Sequence, residues 1–302
     1  MKKFESLSEA HQALGLPPPL HPLISIITGG TRPLTEGDGT QSHVLSFYKI
    51  SYKPRLGGRL RYGQDYYDFD EGGLMFASPN QIIGGNREED GLPAGCSLHT
   101  LLIHPDFLLG FPLAKKIRQY GFFSYSANEA LHLSEAEKDT ILAIFDMIEA
   151  ELSSRIDDYS QDVVIAQIEL LLNYANRFYK RQFITRKAVN NEVLQRLEEV
   201  LENYFNEEVS LSKGIPTVQF LASQLNLSSS YLSDLLRSLM GRNAQQYIHD
   251  KLIEKAKEKL SSTNLSVSEV AYTLGFEHSQ SFSKLFKKKT NVSPLEFRRG
   301  FN

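Results

Sequence analysis

The hydrophobic positions of the chain change period twice along its length. Between about residues 23 and 103 they come in short runs, 44–52, 73–77 and 98–103, rich in β-branched and aromatic residues. The doublets Gly29-Gly30, Gly57-Gly58, Gly72-Gly73 and Gly84-Gly85 punctuate this region. Strands alternate their side chains between two faces and break at turn residues, so the pattern predicts many short strands in a sandwich or barrel. From residue 134 the spacing becomes three and four. Ser134 and Glu137 form a capping box opening a helix with Ile141, Ile144, Phe145, Ile148 and Leu152 on one side. Val164, Ile168, Leu171, Leu172, Ala175 and Phe178 make the stripe of a second helix. The two predict an antiparallel hairpin, packed on the sheet or on a second copy of itself. Residues 181–191 lose the period and read as a linker, and Val193, Leu197, Val200 and Tyr204 restart it.

The last third of the chain contains an internal repeat. Leu221, Ala222, Leu225, Leu227, Leu232, Leu235 and Leu236 are matched by Val270, Ala271, Leu274, Phe276, Phe282, Leu285 and Phe286, with one extra residue after the second turn. Each copy starts with a short helix in which Ala222 or Ala271 leaves room for a crossing helix. Each then turns at Asn226 or Gly275, the residue types that reach positive φ at least cost. The helix that follows is locked across the first by its apolar side, so its outer side projects away. That is the logic of a helix-turn-helix, whose second helix enters a DNA major groove.

Two ordinary helical hairpins would share these stripes, and the polar outer faces separate the two readings. The second copy presents Ser279, Gln280, Ser283, Lys284 and Lys287, a row suited to base edges and phosphates. The first presents Ser229, Ser230, Ser233, Asp234 and Arg237, a less basic row in which Asp234 sits near DNA phosphates unless it accepts from a cytosine amino group. Between the copies, residues 244–260 carry Tyr247, Ile248, Leu252, Ala256 and Leu260 on one side and contain no Gly or Pro. They predict a helix of about 25 Å, long enough to hold two reading helices about one DNA turn, ~34 Å, apart.

Charge changes the picture only when it is divided along the chain. The net charge of the 302 residues is −3, but residues 213–302 hold 13 Lys and Arg against 7 Asp and Glu, a net +6, leaving −9 for residues 1–212. A basic segment beside an acidic partner domain suits phosphate attraction. No stretch approaches the ~18 apolar residues of a membrane span, and Met1-Lys2-Lys3 opens no apolar leader, so a cytoplasmic protein is expected. The single Cys96 has no disulfide or metal partner and reads as a small buried residue.

The run Val267-Ser-Glu-Val270-Ala271-Tyr-Thr-Leu274-Gly275-Phe276, continuing through Ser281-Phe282-Ser283-Lys284-Leu-Phe286-Lys287-Lys288 to Ser293-Pro294-Leu-Glu-Phe297-Arg298, resembles the DNA-binding domain of the AraC/XylS family of bacterial transcription regulators. Tyr231-Leu232-Ser233-Asp234, Gly241 and Gln246-Tyr247-Ile248 match as well, while Asn291 replaces the usual Gly and Phe297 the commoner Tyr. The resemblance covers about a third of the chain. It implies a cupin-like sensory or dimerisation barrel at the N-terminus, and residues 69–79 resemble a turn-strand-Pro element of such barrels.

Together these observations predict an α+β protein. Residues 1–183 form a sensory and dimerisation domain, a cupin-like β-barrel at about 20–130 followed by a helical hairpin at 134–183. A linker at 184–191 leads to an all-α DNA-binding domain at 192–302, with two helix-turn-helix units, 217–239 and 267–290, joined by a linker helix. Base readout is expected from Ser279, Gln280, Ser283, Lys284, Ser230, Ser233 and Asp234, and phosphate contacts from Arg237, Arg242, Lys287, Lys288 and Arg298. Tyr48, Tyr52, Tyr66 and Phe76 either line an effector pocket or belong to the core. Expected partners are double-stranded DNA, a small-molecule effector, a second copy of the chain and, for an activator, RNA polymerase, with no membrane and no cofactor. Two alternatives stand beside this regulator. One is a metal-dependent cupin enzyme with a DNA-binding tail, which needs clustered ligands where His43, His99 and His104 are scattered and no His-x-His occurs. The other is a regulator without a ligand, whose N-terminal domain only dimerises or contacts proteins.

Overall fold

In the computed structural model the strand-rich region builds two open sheets. The structure describes residues 2–31, 35–36, 39–40, 43–54, 60–62, 65–67, 72–83, 97–126, 129–154, 157–185, 187–207 and 209–300. Cys96, the doublets at 57–58 and 84–85, and residues 69–71 lie outside them. The strands are β1 (Lys2–Phe4), β2 (Ile24–Thr31), β3 (Thr35–Glu36), β4 (Gly39–Thr40), β5 (His43–Leu45), β6 (Tyr48–Lys53), β7 (Leu60–Tyr62), β8 (Asp65–Tyr67), β9 (Gly73–Ala77), β10 (Ile82–Ile83), β11 (Ser97–Ile103) and β12 (Leu131–His132). An antiparallel sheet runs β12-β9-β6-β11-β2, a smaller one runs β1-β5-β10, and β3-β4 and β7-β8 are separate hairpins. Among the described residues no sheet closes on itself, so the expected barrel is here a mixed α/β arrangement with open sheets.

The five-stranded sheet is covered on both faces. Register places Tyr48, Ile50 and Tyr52 of β6 beside Ile103, Leu101 and His99 of β11 on one face. The helices α3 (Glu135–Ser153) and α4 (Ser160–Thr185) cover that face. His99 meets the Phe145 ring at 5.6 Å, and Phe76 lies 6.3 Å from Tyr179. The opposite face contributes Ile27 and Leu102 to a cluster with Phe4, Leu7, Ala10, Leu45 and Phe47 under helix α1 (Leu7–Ala13). A short helix, α2 (Leu113–Lys116), and several 3-10 turns connect β11 to β12.

The hairpin forms as its pattern predicts. Every apolar residue assigned to the α3 and α4 stripes is buried except Leu152, which is half-buried. Ser134 caps α3 with its hydroxyl 3.4 Å from the Glu137 amide, while the Glu137 carboxylate accepts from the Ser134 amide at 2.9 Å. The same carboxylate takes a forked pair of bonds from Arg181 of α4, at 3.0 and 2.5 Å. One residue thus starts one helix and ties it to the other, a long-range role that its local spacing does not reveal.

Chain contacts divide the molecule into residues 1–182 and 183–302. The 184–191 segment, read from the sequence as a linker, holds the end of α4 and the start of α5 (Lys187–Asn206). The second unit continues with α6 (Val209–Lys213), α7 (Val218–Gln224), α8 (Ser229–Met240), α9 (Ala244–Ser262), α10 (Val267–Thr273), α11 (Ser279–Thr290) and α12 (Pro294–Arg299).

The turns between α7 and α8 and between α10 and α11 pass through Asn226 at φ 55° and Gly275 at φ 87°. In each, the next amide bonds back into the first helix, Leu227 to the Ala222 carbonyl at 2.9 Å and Phe276 to the Ala271 carbonyl at 3.0 Å. This closure satisfies carbonyls that a helix end leaves open and buries the hydrophobic residue that follows. Gly275 is under a second constraint, because a Cβ there would lie 2.4 Å from the Gly214 carbonyl carbon. Replacing Gly275 with Ala therefore combines left-handed strain with a backbone clash, and urea unfolding should show a loss of about 2 to 4 kcal/mol. Asn226→Gly should change stability by less than about 1 kcal/mol, so equal losses at both positions would contradict this account.

Candidate nucleic-acid interface

The repeat extends further than its apolar stripes suggest. After α8 the chain reverses at Gly241, φ 69°, and after α11 at Asn291, φ 64°, whose amides bond the Arg237 and Lys287 carbonyls at 3.0 and 2.9 Å. Asn291 thus meets the same left-handed requirement as the Gly it replaces. A capping box follows in both copies, Asn243 with Gln246 opening α9 and Ser293 with Glu296 opening α12. A polar residue followed at the third position by Gln or Glu was a signal available in the sequence. It marks a repeat of three helices rather than two.

The two copies are held by a shared core. Leu221, Ala222, Leu225, Leu227, Leu232, Leu235 and Leu236 are buried, as are Val270, Ala271, Leu274, Phe276, Phe282 and Phe286, with Leu285 half-buried. Helix α9 supplies Tyr247, Ile248, Leu252, Ala256 and Leu260, and adds Ala244 and Ile253. Its 19 residues make a rod of about 28 Å that packs against α7, α8, α10, α11 and α12. Inside copy two the Phe282 ring stands 5.4 Å from Phe276 and 5.7 Å from Phe286, which meets Phe297 at 5.5 Å. These rings clamp α11 by one side and turn the other to solvent.

Supporting contacts come from α5 and α6, where the sequence offered only the α5 stripe. Val193, Leu197, Leu201, Tyr204 and Phe205 are buried. The Tyr247 hydroxyl donates to Glu198 at 3.2 Å, linking α5 to α9. Ser210, buried on α6, donates to the Thr273 carbonyl at 2.7 Å, and the Tyr204 hydroxyl donates to the Gly214 carbonyl at 2.9 Å. The turn of copy two is therefore braced from outside the repeat.

On the outer face of α11, Gln280, Lys284, Lys287 and Lys288 are exposed, and Ser279 and Ser283 are half-buried beside them. Among the described residues, Lys284, Lys287 and Lys288 form no ion pair. The outer face of α8 differs in kind. Ser230, Ser233 and Asp234 are half-buried, and Arg237 donates to Asp234 across one turn at 2.5 Å. Its acidic residue is thus matched within the helix itself.

Two other cations expected at phosphates are engaged by the domain. Arg242 donates to Asp250 of α9 at 2.6 Å, and the same carboxylate accepts from Lys289 at 2.7 Å. Burial pushes the Asp250 pKa up, but the bonds and charges of Lys289 and Arg242 outweigh it and hold the group below its ordinary value. Arg298, half-buried, donates through Nε to the Leu260 carbonyl at 3.2 Å near the end of α9. That bond ties the Arg298 side chain to the end of α9.

The aromatic residues offered for an effector pocket are taken up by packing. Tyr48, Tyr52 and Phe76 are buried, with Tyr48 edge-on to Phe123 at 5.1 Å and Phe76 4.5 Å from Phe122. They form the core beneath α3 and α4 because their strand positions share the face that those helices cover. Tyr66 falls in β8, and its side chain lies outside the described residues. Among the described residues no group of three or more His, Cys, Asp or Glu is placed to hold a metal ion, and no helix is long and apolar enough to cross a membrane.

Two bent helix pairs on a common rod, the second with a free basic face, define a tandem helix-turn-helix domain. The sequence pattern of a helix-turn-helix domain family matches residues 221–300. The chain is also 31% identical over 150 residues to the HTH-type transcriptional activator RhaS of Salmonella paratyphi B and of Salmonella typhimurium, a match covering 49% of this chain. That match spans about half the length of those relatives, 51%. Among solved structures, the C-terminal domain of the response regulator yesN from Fusobacterium nucleatum is 35% identical over 33% of this chain and 96% of its own, with a TM-score of 0.29. The C-terminal domain of AraT, a response regulator from Geobacillus stearothermophilus, is 31% identical over 36% of this chain and 84% of its own, with a TM-score of 0.32. Residues 221–300 thus carry a helix-turn-helix domain similar to that of AraC-type transcription regulators.

The capping carboxylates give the domain a pH dependence whose direction is set. Bonds from the backbone and side chain of Ser266 hold Glu269 below its ordinary value, and Ser293 does the same for Glu296. A carboxylate with a folded pKa below its unfolded value adds stability that is complete above the unfolded value and lost as pH falls through the folded one. Urea midpoints should fall between about pH 5 and pH 3. The Glu269→Gln, Glu296→Gln double variant should show a shallower decline over that window.

Proposed function

We propose that the chain is a sequence-specific DNA-binding transcription regulator rather than an enzyme, with α11 as its main reading helix. The basic face of α11 carries this assignment, because Lys284, Lys287 and Lys288 are exposed and, among the described residues, form no ion pair. Gln280, Ser283, Ser279 and Lys284 supply base readout, and Lys287 and Lys288 supply phosphate contacts. Helix α8 reads less, through Ser230 and Ser233, with Asp234 and Arg237 occupied by each other. The relatives named above are transcriptional activators, and activation with RNA polymerase as partner is the sense of control favoured for this chain. Dimerisation through the α3–α4 hairpin belongs to the same proposal, since Met147, Val163 and Leu170 are exposed on those helices.

Control by a small-molecule effector in the N-terminal unit has a specific observation behind it, on the sheet face opposite the aromatic core. Ser51 and Thr100 face each other across β6 and β11, and both are buried. Among the described residues neither hydroxyl has a hydrogen-bond partner, although burying an unpaired hydroxyl costs about 1 to 3 kcal/mol. Lys49, on the same face, has its pKa lowered to about 8 by burial and by the charge of Lys53. A polar ligand would satisfy these groups. A cupin-like enclosure around them is the fold expected for such a sensor.

DNA affinity should fall with salt at a log–log slope of about −0.9 per neutralised phosphate. Lys288→Ala should flatten that slope by about one and weaken all sequences alike. Gln280→Ala or Lys284→Ala should instead relax base preference by about 1 to 3 kcal/mol. Equal losses on selected and random duplexes for all three would overturn these roles. In a thermal-shift screen of sugars, aromatic acids and cell extracts, a stabilising compound should lose its effect on Ser51→Ala, Thr100→Val protein. Uniform silence would favour a regulator without a ligand.

A further inference from the structure

The carboxylate of Asp250 joins the two reading modules. It projects from α9, the rod that both modules pack against, and each of its oxygens serves a different one. Oδ2 accepts from Arg242, which follows the left-handed cap of α8, and Oδ1 accepts from Lys289 in the last turn of α11. The Asp250 side chain is only 18% exposed, and that of Lys289 29%. The neighbouring His249 is biased toward its neutral form by burial and by the charges of Lys289 and Lys288, partly opposed by Asp250. Asp250 therefore answers two cations, one from each copy of the repeat.

Resting on the DNA-binding assignment, we infer that Asp250 is a positioning residue: it sets the separation of the two reading helices and withholds Arg242 and Lys289 from phosphate. The physical reason lies in what apolar packing leaves undetermined. Leucine and phenylalanine side chains fix that a helix lies against α9, but such contacts are non-directional and tolerate small rolls. A carboxylate bonded to a guanidinium on one oxygen and an ammonium on the other is directional, and it spans both modules. It also removes two positive charges from a surface where each one free to meet a phosphate raises affinity for any sequence. The Arg242 side chain is 59% exposed, so its pair adds little to folding stability, and the consequence that distinguishes this role is read in DNA recognition.

The test compares the full-length wild type with Asp250→Asn and with an Arg242→Gln, Lys289→Gln double variant. Duplexes selected from a random library give the preferred spacing, and a random-sequence duplex gives the salt slope. Asp250→Asn frees both cations, so its slope on the random duplex should steepen by up to about 1.8, with affinity about tenfold higher at low salt. On the selected element, inserting one base pair displaces the half-sites by about 3.4 Å and about 34°. That insertion should cost the wild type about tenfold or more and Asp250→Asn several-fold less. The double variant breaks the link without freeing a cation, so spacing tolerance should broaden while the slope does not steepen. It also keeps the inference open to refutation should Asp250→Asn fail to fold. Wild-type binding with unchanged spacing and slope in the variants would overturn the role of Asp250 and leave DNA recognition standing. Absence of salt-dependent binding by the wild type would instead remove DNA recognition itself, and this inference with it.

Discussion

The left-handed turns at Asn226 and Gly275 are the constraint on which the C-terminal unit depends. Each must end one helix within a single residue and start the next at a steep angle, and only a positive φ does this while returning the following amide to a helix carbonyl. The geometry brings Leu227 and Phe276 into the core and leaves α8 and α11 held by one side. In the second copy the demand is stricter, because the Gly214 backbone occupies the space a side chain would need. Asparagine therefore serves in one turn where only glycine fits in the other.

The two modules share a backbone plan and differ in electrostatics. Helix α11 turns Lys284, Lys287 and Lys288 outward, while α8 pairs Asp234 with Arg237 on its own surface. A basic residue read in a sequence is a phosphate ligand only if the folded domain leaves it free. Arg242, Lys289 and Arg298 all lie in the basic segment, yet each is engaged by α9, through Asp250 or the Leu260 carbonyl. The effective positive surface is thus narrower than a net charge of +6 over residues 213–302 suggests.

In the N-terminal unit the same strand carries two different environments. Tyr48, Ile50 and Tyr52 meet the helices, whereas Lys49, Ser51 and Lys53 point to the other face. Aromatic residues are expected to mark a pocket because they bind flat ligands, but here they close the core against Phe122 and Phe123. Two buried hydroxyls without a partner among the described residues, Ser51 and Thr100, sit on the opposite side. Alternation along a strand tells which residues share a face and is silent on which face meets a helix.

By itself the sequence determined the features that depend on local backbone chemistry and on one-dimensional periodicity. These include the Ser134–Glu137 cap, the α3 and α4 stripes, the paired turns at Asn226 and Gly275, and the buried side of each repeat helix. Helical and strand periods place side chains relative to their own axis, so such features survive without knowledge of the neighbours. Only the tertiary structure decided that Glu137 meets Arg181, that Gly214 presses on Gly275, that the sheets of the described residues stay open where a barrel was expected, and which cations α9 holds. Those contacts join residues far apart in the chain, and their directional bonds depend on where each helix comes to rest, which no local spacing encodes.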